Sequence, residues 1–280
     1  MTHNARHQFR ASAKHKLREE DAGDHAFSSR AANPDLSKSK GKALDIERTD
    51  ALIKRIASLQ SMLYAQRKQK VLLVLQGMDT SGKDGTVRAM FSGVSPMGVS
   101  AVAFKAPTDE ELAHDYLWRV HQHVPVKGQI AIFNRSHYED VLVTKVQDMI
   151  DDKECKRRYA HILDFERMLA ETGTVIVKVF LHISKEEQRE RLQERLDDKN
   201  KQWKFDVNDI EQRKKWDDYQ RAYEQAIRET DKPHAPWYIV PSNSKTHRNL
   251  VIASLLLETL ESMDLSYPPP HPDLSSITIV

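Results

Sequence analysis

The apolar positions change period several times along the chain, and each change marks an element. Leu52, Ile53, Ile56, Leu59 and Leu63 recur at three- and four-residue intervals, as on the buried face of an amphipathic helix. Residues 71–75 (VLLVL) then form an unbroken apolar run, too short for a helix and of the right length for a buried strand. Four further runs read the same way: VSAVAFKAP at 99–107, QIAIFNRS at 129–136, TVIVKVFLHIS at 174–184 and WYIVPSN at 237–243. Helical segments separate them. Thr108-x-x-Glu111 makes a capping box for a segment that Pro125 ends, and THRNLVIASLLLETLESM forms a closing helix with Thr246 as its N-cap. Strands alternating with helices predict an α/β fold with a mainly parallel five-stranded sheet and helices on both faces. More than fifty residues, strongly charged and helical in pattern, separate the fourth and fifth strands. Residues 185–230 of that insertion read as a lid.

Composition refines this picture at the ends of the chain. Residues 1–43 lack apolar periodicity and hold nine Lys/Arg against five Asp/Glu, which predicts a mobile basic arm. The folded domain is expected over 44–265, with a tail at 266–280. A net charge of +2, concentrated in the arm, argues against a general nucleic-acid binder, so any polyanion site must be a local cluster. The single Cys155 excludes an internal disulfide and a cysteine-based zinc cluster. The thirteen histidines show no metal-ligand spacing. No apolar stretch is long enough to span a membrane and no signal-peptide core is present, so the expected location is the cytoplasm.

Chemistry concentrates where the first strand ends. GMDTSGKDG fits G-x-x-x-x-G-K, a loop in which Gly77, Gly82 and Gly85 let backbone N–H groups face a phosphate, with Thr80 and Ser81 between them. Lys83 supplies a mobile positive charge. Asp84 stands where such loops usually carry Ser or Thr. Asp79 lies inside the loop, where its charge would repel a phosphate unless a cation intervened. It therefore reads as a magnesium ligand or a general base, with a helix cap as the alternative.

FNRSHYEDVLV at 133–143 follows a buried strand, where a P-loop enzyme places its metal-binding acid. Asn134 offers only a neutral oxygen there. Arg135 can clamp a phosphate, and Glu139, four residues on, would share its side of a helix start. In the insertion, Arg191 and Arg195 stand one turn apart, and Lys199, Lys201 and Lys204 surround Trp203. These cations could close over a phosphate chain. Equally, residues 185–230 hold twelve Lys/Arg against thirteen Asp/Glu, the balance of a solvated, ion-paired helix.

GMDTSGKDG, KAPTDEELAHDYLWRVH, FNRSHYEDVLV, LHISKEEQRERLQERL, QWKF and APWYIVPSN, in this order over about residues 45–265, closely resemble the family-2 polyphosphate kinases. The resemblance implies a P-loop kinase fold, thymidylate kinase-like, with a helical lid. It implies reversible phosphoryl transfer between inorganic polyphosphate and AMP, ADP or ATP, with magnesium (or manganese) and in a homo-oligomer, a dimer or tetramer. It makes Asp79 the metal-holding loop carboxylate, Lys83 the loop lysine, Arg135 a phosphate clamp and Arg195 the lid arginine. It places Lys105 and Arg119 along the phosphate and nucleotide channel. FNRSHYEDVLV looks like the subgroup that accepts both AMP and ADP, with Glu139 as its acceptor-recognition residue. Many members carry Asp at the position of Asn134, so Asp79 bears more of the metal's charge here. Two other readings stay open: an ATP-dependent nucleoside monophosphate kinase, and a non-catalytic P-loop nucleotide-binding protein.

Overall fold

The computed structural model describes residues 4–12, 16–273, 277 and 279. Its centre is an all-parallel sheet in the order β2-β3-β1-β4-β5, with β1 Lys70–Gln76, β2 Val99–Ala103, β3 Ile130–Asn134, β4 Thr174–His182 and β5 Trp237–Pro241. All but β2 are buried along almost their whole length, which is why they read as continuous apolar runs. The chain serves β2 and β3 on one side of β1 and then crosses to β4 and β5 on the other. The carboxyl end of β1 is thus the switch point, where open α/β sheets bind their ligands.

Two single turns, α1 (Ala5–Gln8) and α2 (Ser29–Ala32), precede the long α3 (Lys38–Gln66). Helix α4 (Lys83–Phe91) follows β1, and the short α5 (Asp109–Ala113) and α6 (Trp118–His121) follow β2. Between β3 and β4 lie α7 (Glu139–Val146) and α8 (Asp152–Glu171). Helices α9 (Lys185–Asp197), α10 (Asn208–Lys214) and α11 (Trp216–Thr230) connect β4 to β5, and α12 (Lys245–Glu261) comes last. Alternate strand residues feed two cores. Leu72, Val74, Phe133 and Phe180 pack with α7, α8 and α11, while Leu73, Leu75, Ile132 and Val179 pack with α3, α4 and α12.

Several expectations need correction. The described part of the N-terminal segment is docked, not a mobile arm. Ala11 N–H donates to Trp237 O and Phe9 O accepts from Ile239 N–H, each at 2.9 Å, so the segment pairs along the outer edge of β5. Phe9 is buried in the core beneath α12, and Glu258 of that helix accepts the N–H groups of Ala5 and Arg6. An exposed strand edge is thereby covered. Helix α3 begins at Lys38, with Ser37 as its N-cap, so the folded domain does not start at residue 44.

The lid is shorter than predicted. Trp216, Tyr219, Tyr223 and Ile227 of α11 are core residues, which leaves α9, α10 and the loop between them as the projecting part. The capping box at Thr108 forms, but the helix stops at Ala113 because Asp115 accepts from the N–H groups of Leu117 and Trp118 and starts a new turn. Ser244, not Thr246, caps α12 by accepting from His247 N–H.

Candidate active site

The loop after β1 takes its shape from two glycines and a set of cations behind it. Gly77 has φ 154° and Gly82 φ 102°. A Cβ at Gly77 would lie 2.8 Å from Leu181 O, and one at Gly82 would collide with the Arg248 guanidinium. Five successive loop carbonyls each meet a side-chain donor. Lys83 Nζ donates to Gly77 O (2.7 Å) and Met78 O (3.1 Å), and Gln188 Nε2 to Asp79 O (3.1 Å). Arg191 Nη1 donates to Thr80 O (2.9 Å) and Ser81 O (3.1 Å), and Arg248 adds a longer bond to Ser81 O. The C=O and N–H of one peptide point in opposite directions, so fixing the carbonyls turns the intervening amides the other way, as an anion-binding loop requires. Thr80 Oγ1 and Ser81 Oγ are buried and unpaired among the described residues. Arg191 therefore shapes the loop from behind and does not share a phosphate-facing surface with Arg195.

Lys83 begins α4 and is buried. Desolvation, then the charge of Arg135, pulls its pKa down to about 8, against the opposing pull of Asp79, Glu139 and Asp84. Arg135 sits just past β3 with φ 62°, and Thr80 has φ 64°. Such backbone costs a non-glycine residue roughly 1–3 kcal/mol and is found chiefly at functional sites. The Arg135 guanidinium donates to Asp79 Oδ1 at 2.5 Å. Burial works against its charge, but Glu139 and Asp79 outweigh burial and hold it firmly protonated.

Glu139 is the first residue of α7, whereas Arg135 lies before the helix with left-handed backbone, so the two share the cavity through the turn between them and not through helical spacing. The turn between them is anchored in the core. Glu166 Oε1 accepts from Tyr138 OH (2.8 Å) and lies 3.2 Å from His137 Nε2, while Lys178 Nζ donates to Glu166 Oε2 at 2.6 Å. All four of these side chains are fully buried.

Gly77, Asp79, Lys105, Arg119, Arg135 and Glu139 line one cavity of about 640 Å³. Arg119 is buried, donates to Lys105 O at 2.9 Å and faces Asp140 at 3.8 Å. Burial pushes Asp140 up to about 6 against the opposing charges of Arg119 and Arg158.

Sequence reasoning missed Asp140, and also Asp209 of α10, Tyr219 and Tyr223, all of which line the same cavity. Burial, then the negative charge of Asp79, raises Asp209 to about 6, although Arg195 Nη1 lies 3.4 Å away. Asp209 is one acid among many in a charge-balanced helical stretch, so no local signal sets it apart.

Other expected site residues lie behind or beside the cavity. Asn134 Nδ2 donates to Asp84 Oδ1 at 2.7 Å, so Asn134 pairs with Asp84 and not with Asp79. Asp84 is held below the ordinary carboxylate range: burial acts the other way but is outweighed by Asn134 and by the cations Lys204, Lys83 and Arg195. Gly85 lies beside the Arg248 guanidinium. Arg195 donates to Lys204 O (3.1 Å) and pairs with Asp209. The expected lysine cluster is dispersed: Lys201 pairs with Asp198 at 3.0 Å, Lys204 approaches Asp84 at 3.7 Å, and Lys199 is exposed. None of the three lines the cavity.

Asp79 and Asp209 both line the cavity, and the charge of Asp79 disfavours that of Asp209. Hard oxygen donors in such repulsion suit a divalent cation such as magnesium, which commonly takes one or two carboxylates and completes its shell with substrate phosphates and water. Among the described residues no group of three or more His, Cys, Asp or Glu side chains gathers for a metal.

The sequence model of the family described as Polyphosphate kinase 2 matches residues 38–268. The chain belongs to the polyphosphate kinase 2 family. It is 54% identical over 239 residues to the AMP/ADP-polyphosphate phosphotransferase of Meiothermus ruber, covering 85% of this chain and 90% of that one. It is 42% identical to the ADP-polyphosphate phosphotransferase of Rhodopseudomonas palustris, over 79% of this chain and 80% of the relative. The crystal structure of polyphosphate kinase 2 from Arthrobacter aurescens TC1 superimposes with a TM-score of 0.87 at 40% identity, covering 97% and 94% of the two chains. Polyphosphate kinase 2 membership settles the fold and the enzyme class together. Among the described residues no helix is long and apolar enough to cross a membrane.

Proposed function

We propose that this polyphosphate kinase 2 transfers the terminal phosphoryl group of inorganic polyphosphate to AMP and to ADP, giving ADP and ATP. The carrying observation is the convergence of Asp79, Arg135 and Glu139 on one cavity at the mouth of the phosphate loop, with Lys83 beneath it. The names of the 54%-identical and 42%-identical relatives point the same way.

An acceptor phosphate oxygen attacks the terminal phosphorus of the polymer. The bridging P–O bond on the opposite side breaks, and its electron pair leaves on the shortened chain. Lys83 and the loop amides hold the transferring group and Arg135 neutralises the charge that builds on it, so the protein mainly positions and shields. Asp79, together with Asp209, would hold magnesium, which would supply charge neutralisation between the phosphate groups of donor and acceptor. Arg119 and Lys105 extend the positive lining towards the acceptor, and Glu139 faces the acceptor from the start of α7.

Purified protein with magnesium, polyphosphate and either AMP or ADP should yield ADP and ATP on nucleotide separation. Phosphorylation of AMP with ATP as sole donor, and none with polyphosphate, would replace this reading with an ATP-dependent nucleoside monophosphate kinase.

A further inference from the structure

We propose that Glu19, on the N-terminal segment and outside the stretch that the family model matches, is a positioning residue for the lid. Its carboxylate joins the two ends of the projecting insertion. Glu19 Oε2 accepts the backbone N–H of Lys185, the first residue of α9, at 2.8 Å. Glu19 Oε1 accepts the indole N–H of Trp216, the first residue of α11, also at 2.8 Å. Both residues are the points at which the lid leaves and rejoins the core, and Trp216 is fully buried.

The segment carrying Glu19 is itself fixed. Leu17 N–H donates to Glu224 of α11 (2.7 Å), Arg18 O bonds with His182 Nε2 at the end of β4 (2.7 Å), and Ala22 O accepts Asn243 N–H beyond β5 (3.2 Å). Residues 17–22 thus form a strap across the base of the lid, tied to both neighbouring strands.

What the strap holds reaches the chemistry in one step. The first turns of α9 carry Gln188 and Arg191, which grip the carbonyls of Asp79, Thr80 and Ser81. Arg213 of α10 folds back onto Lys185 O (2.6 Å) and Gln188 Oε1 (2.9 Å). Asp209, one turn earlier on α10, lines the same cavity as Asp79. A shift of α9 relative to α11 would move the loop's supports and Asp209 together. A carboxylate also suits the N–H at the start of α9, where the helix dipole favours negative charge. Two acceptor oxygens can satisfy two donors at once. A glutamine cannot, because its NH₂ would have to face one of the N–H groups.

The inference rests on the proposed transfer reaction, but one readout does not depend on it. In Glu19→Ala, hydrogen exchange should speed up at least tenfold at residues 185–191 and 208–216 and stay within twofold in β1 and β3. The KM for polyphosphate should rise about fivefold, with the KM for AMP within twofold and the far-UV spectrum unchanged. Glu19→Gln, a milder change that keeps the fold if alanine does not, should show the same pattern at roughly half the size on a logarithmic scale. Unchanged exchange across both lid segments, or acceleration spread evenly over the sheet, would overturn the positioning role whatever substrate the enzyme uses. Altered exchange in the lid with an unchanged KM for polyphosphate would also overturn it, since the strap would then hold the lid without serving the donor.

Discussion

Replacing Asp79 with asparagine keeps the loop's shape and removes one unit of charge. The Asn Oδ1 can still accept from Arg135, so the geometry at 2.5 Å changes little. What is lost is the attraction that fixes the guanidinium and the charge that would balance a cation. Two unit charges about 4 Å apart at an effective dielectric of about 20 attract by about 4 kcal/mol. Asp79 and Arg135 are 24% and 38% exposed, so part of that attraction is screened. Removing roughly a third leaves about 2.7 kcal/mol, or about a hundredfold in rate if the pair is fully used in the transition state. We expect kcat for AMP to fall about a hundredfold, with KM changed less than threefold. The assay is steady-state ADP formation at saturating magnesium and polyphosphate. Because the two residues act as a unit, Asp79→Asn combined with Arg135→Gln should lose much less than the product of the single losses. Turnover within threefold of the parent enzyme would refute the argument and reduce Asp79 to a shaping residue.

Two further outcomes follow from the charges in and beneath the cavity. Lys83, lowered to about 8, keeps its positive charge below that pH and loses it above, whereas Asp140 and Asp209, raised to about 6, keep their negative charges above that pH and lose them below. The pH profile of kcat/KM should therefore be bell-shaped between about 6 and 8, with an acid limb carrying more than one proton; a flat profile from pH 5.5 to 9 would contradict it. Glu139→Ala should lower activity with AMP at least tenfold more than with ADP, because ADP's second phosphate can reach the Lys83 and Arg135 cations unaided; equal losses for both acceptors would leave Glu139 as a partner of Arg135 only.

The sheet was legible because four of its strands are buried on both faces, so their sequences carry unbroken apolar runs flanked by polar turns. The phosphate loop was legible for a different reason: Gly77 and Gly82 occupy positions where a Cβ would collide, and the pattern survives in the residue letters. The cap of α12 was not decidable from sequence, since Ser244 and Thr246 both offer a hydroxyl and lie 3.2 Å apart. The N-terminal segment docks largely through backbone groups such as Phe9 O and Ala11 N–H, which leave no periodicity to read. The limits of the lid were recoverable in principle. Trp216, Tyr219, Tyr223 and Ile227 follow helical spacing, but charged neighbours on the outer face mask the stripe. Lys178 and Glu166, wholly buried and paired, are the clearest case of chemistry that composition hides.

The acids gathered in the cavity also bear on how the enzyme could discriminate among phosphates. Asp79, Glu139, Asp140 and Asp209 line the same space as Arg119, Arg135 and Arg158, so the site is not a simple basic trap. Asp79, Asp140 and Asp209 each lie within 4 Å of an arginine. A bare polyanion entering such a site would gain from Lys105 and the arginines but lose more to the acids, which with Glu111, Asp115 and Asp206 outnumber the cations of the lining, since close charges of either sign act with similar strength in a partly desolvated space. A phosphate accompanied by a divalent cation would satisfy both sets. Selectivity for the complexed substrate over the free anion then needs no dedicated pocket. It follows from alternating charges that a loop, a strand end and a lid helix each bring to the switch point beside β1.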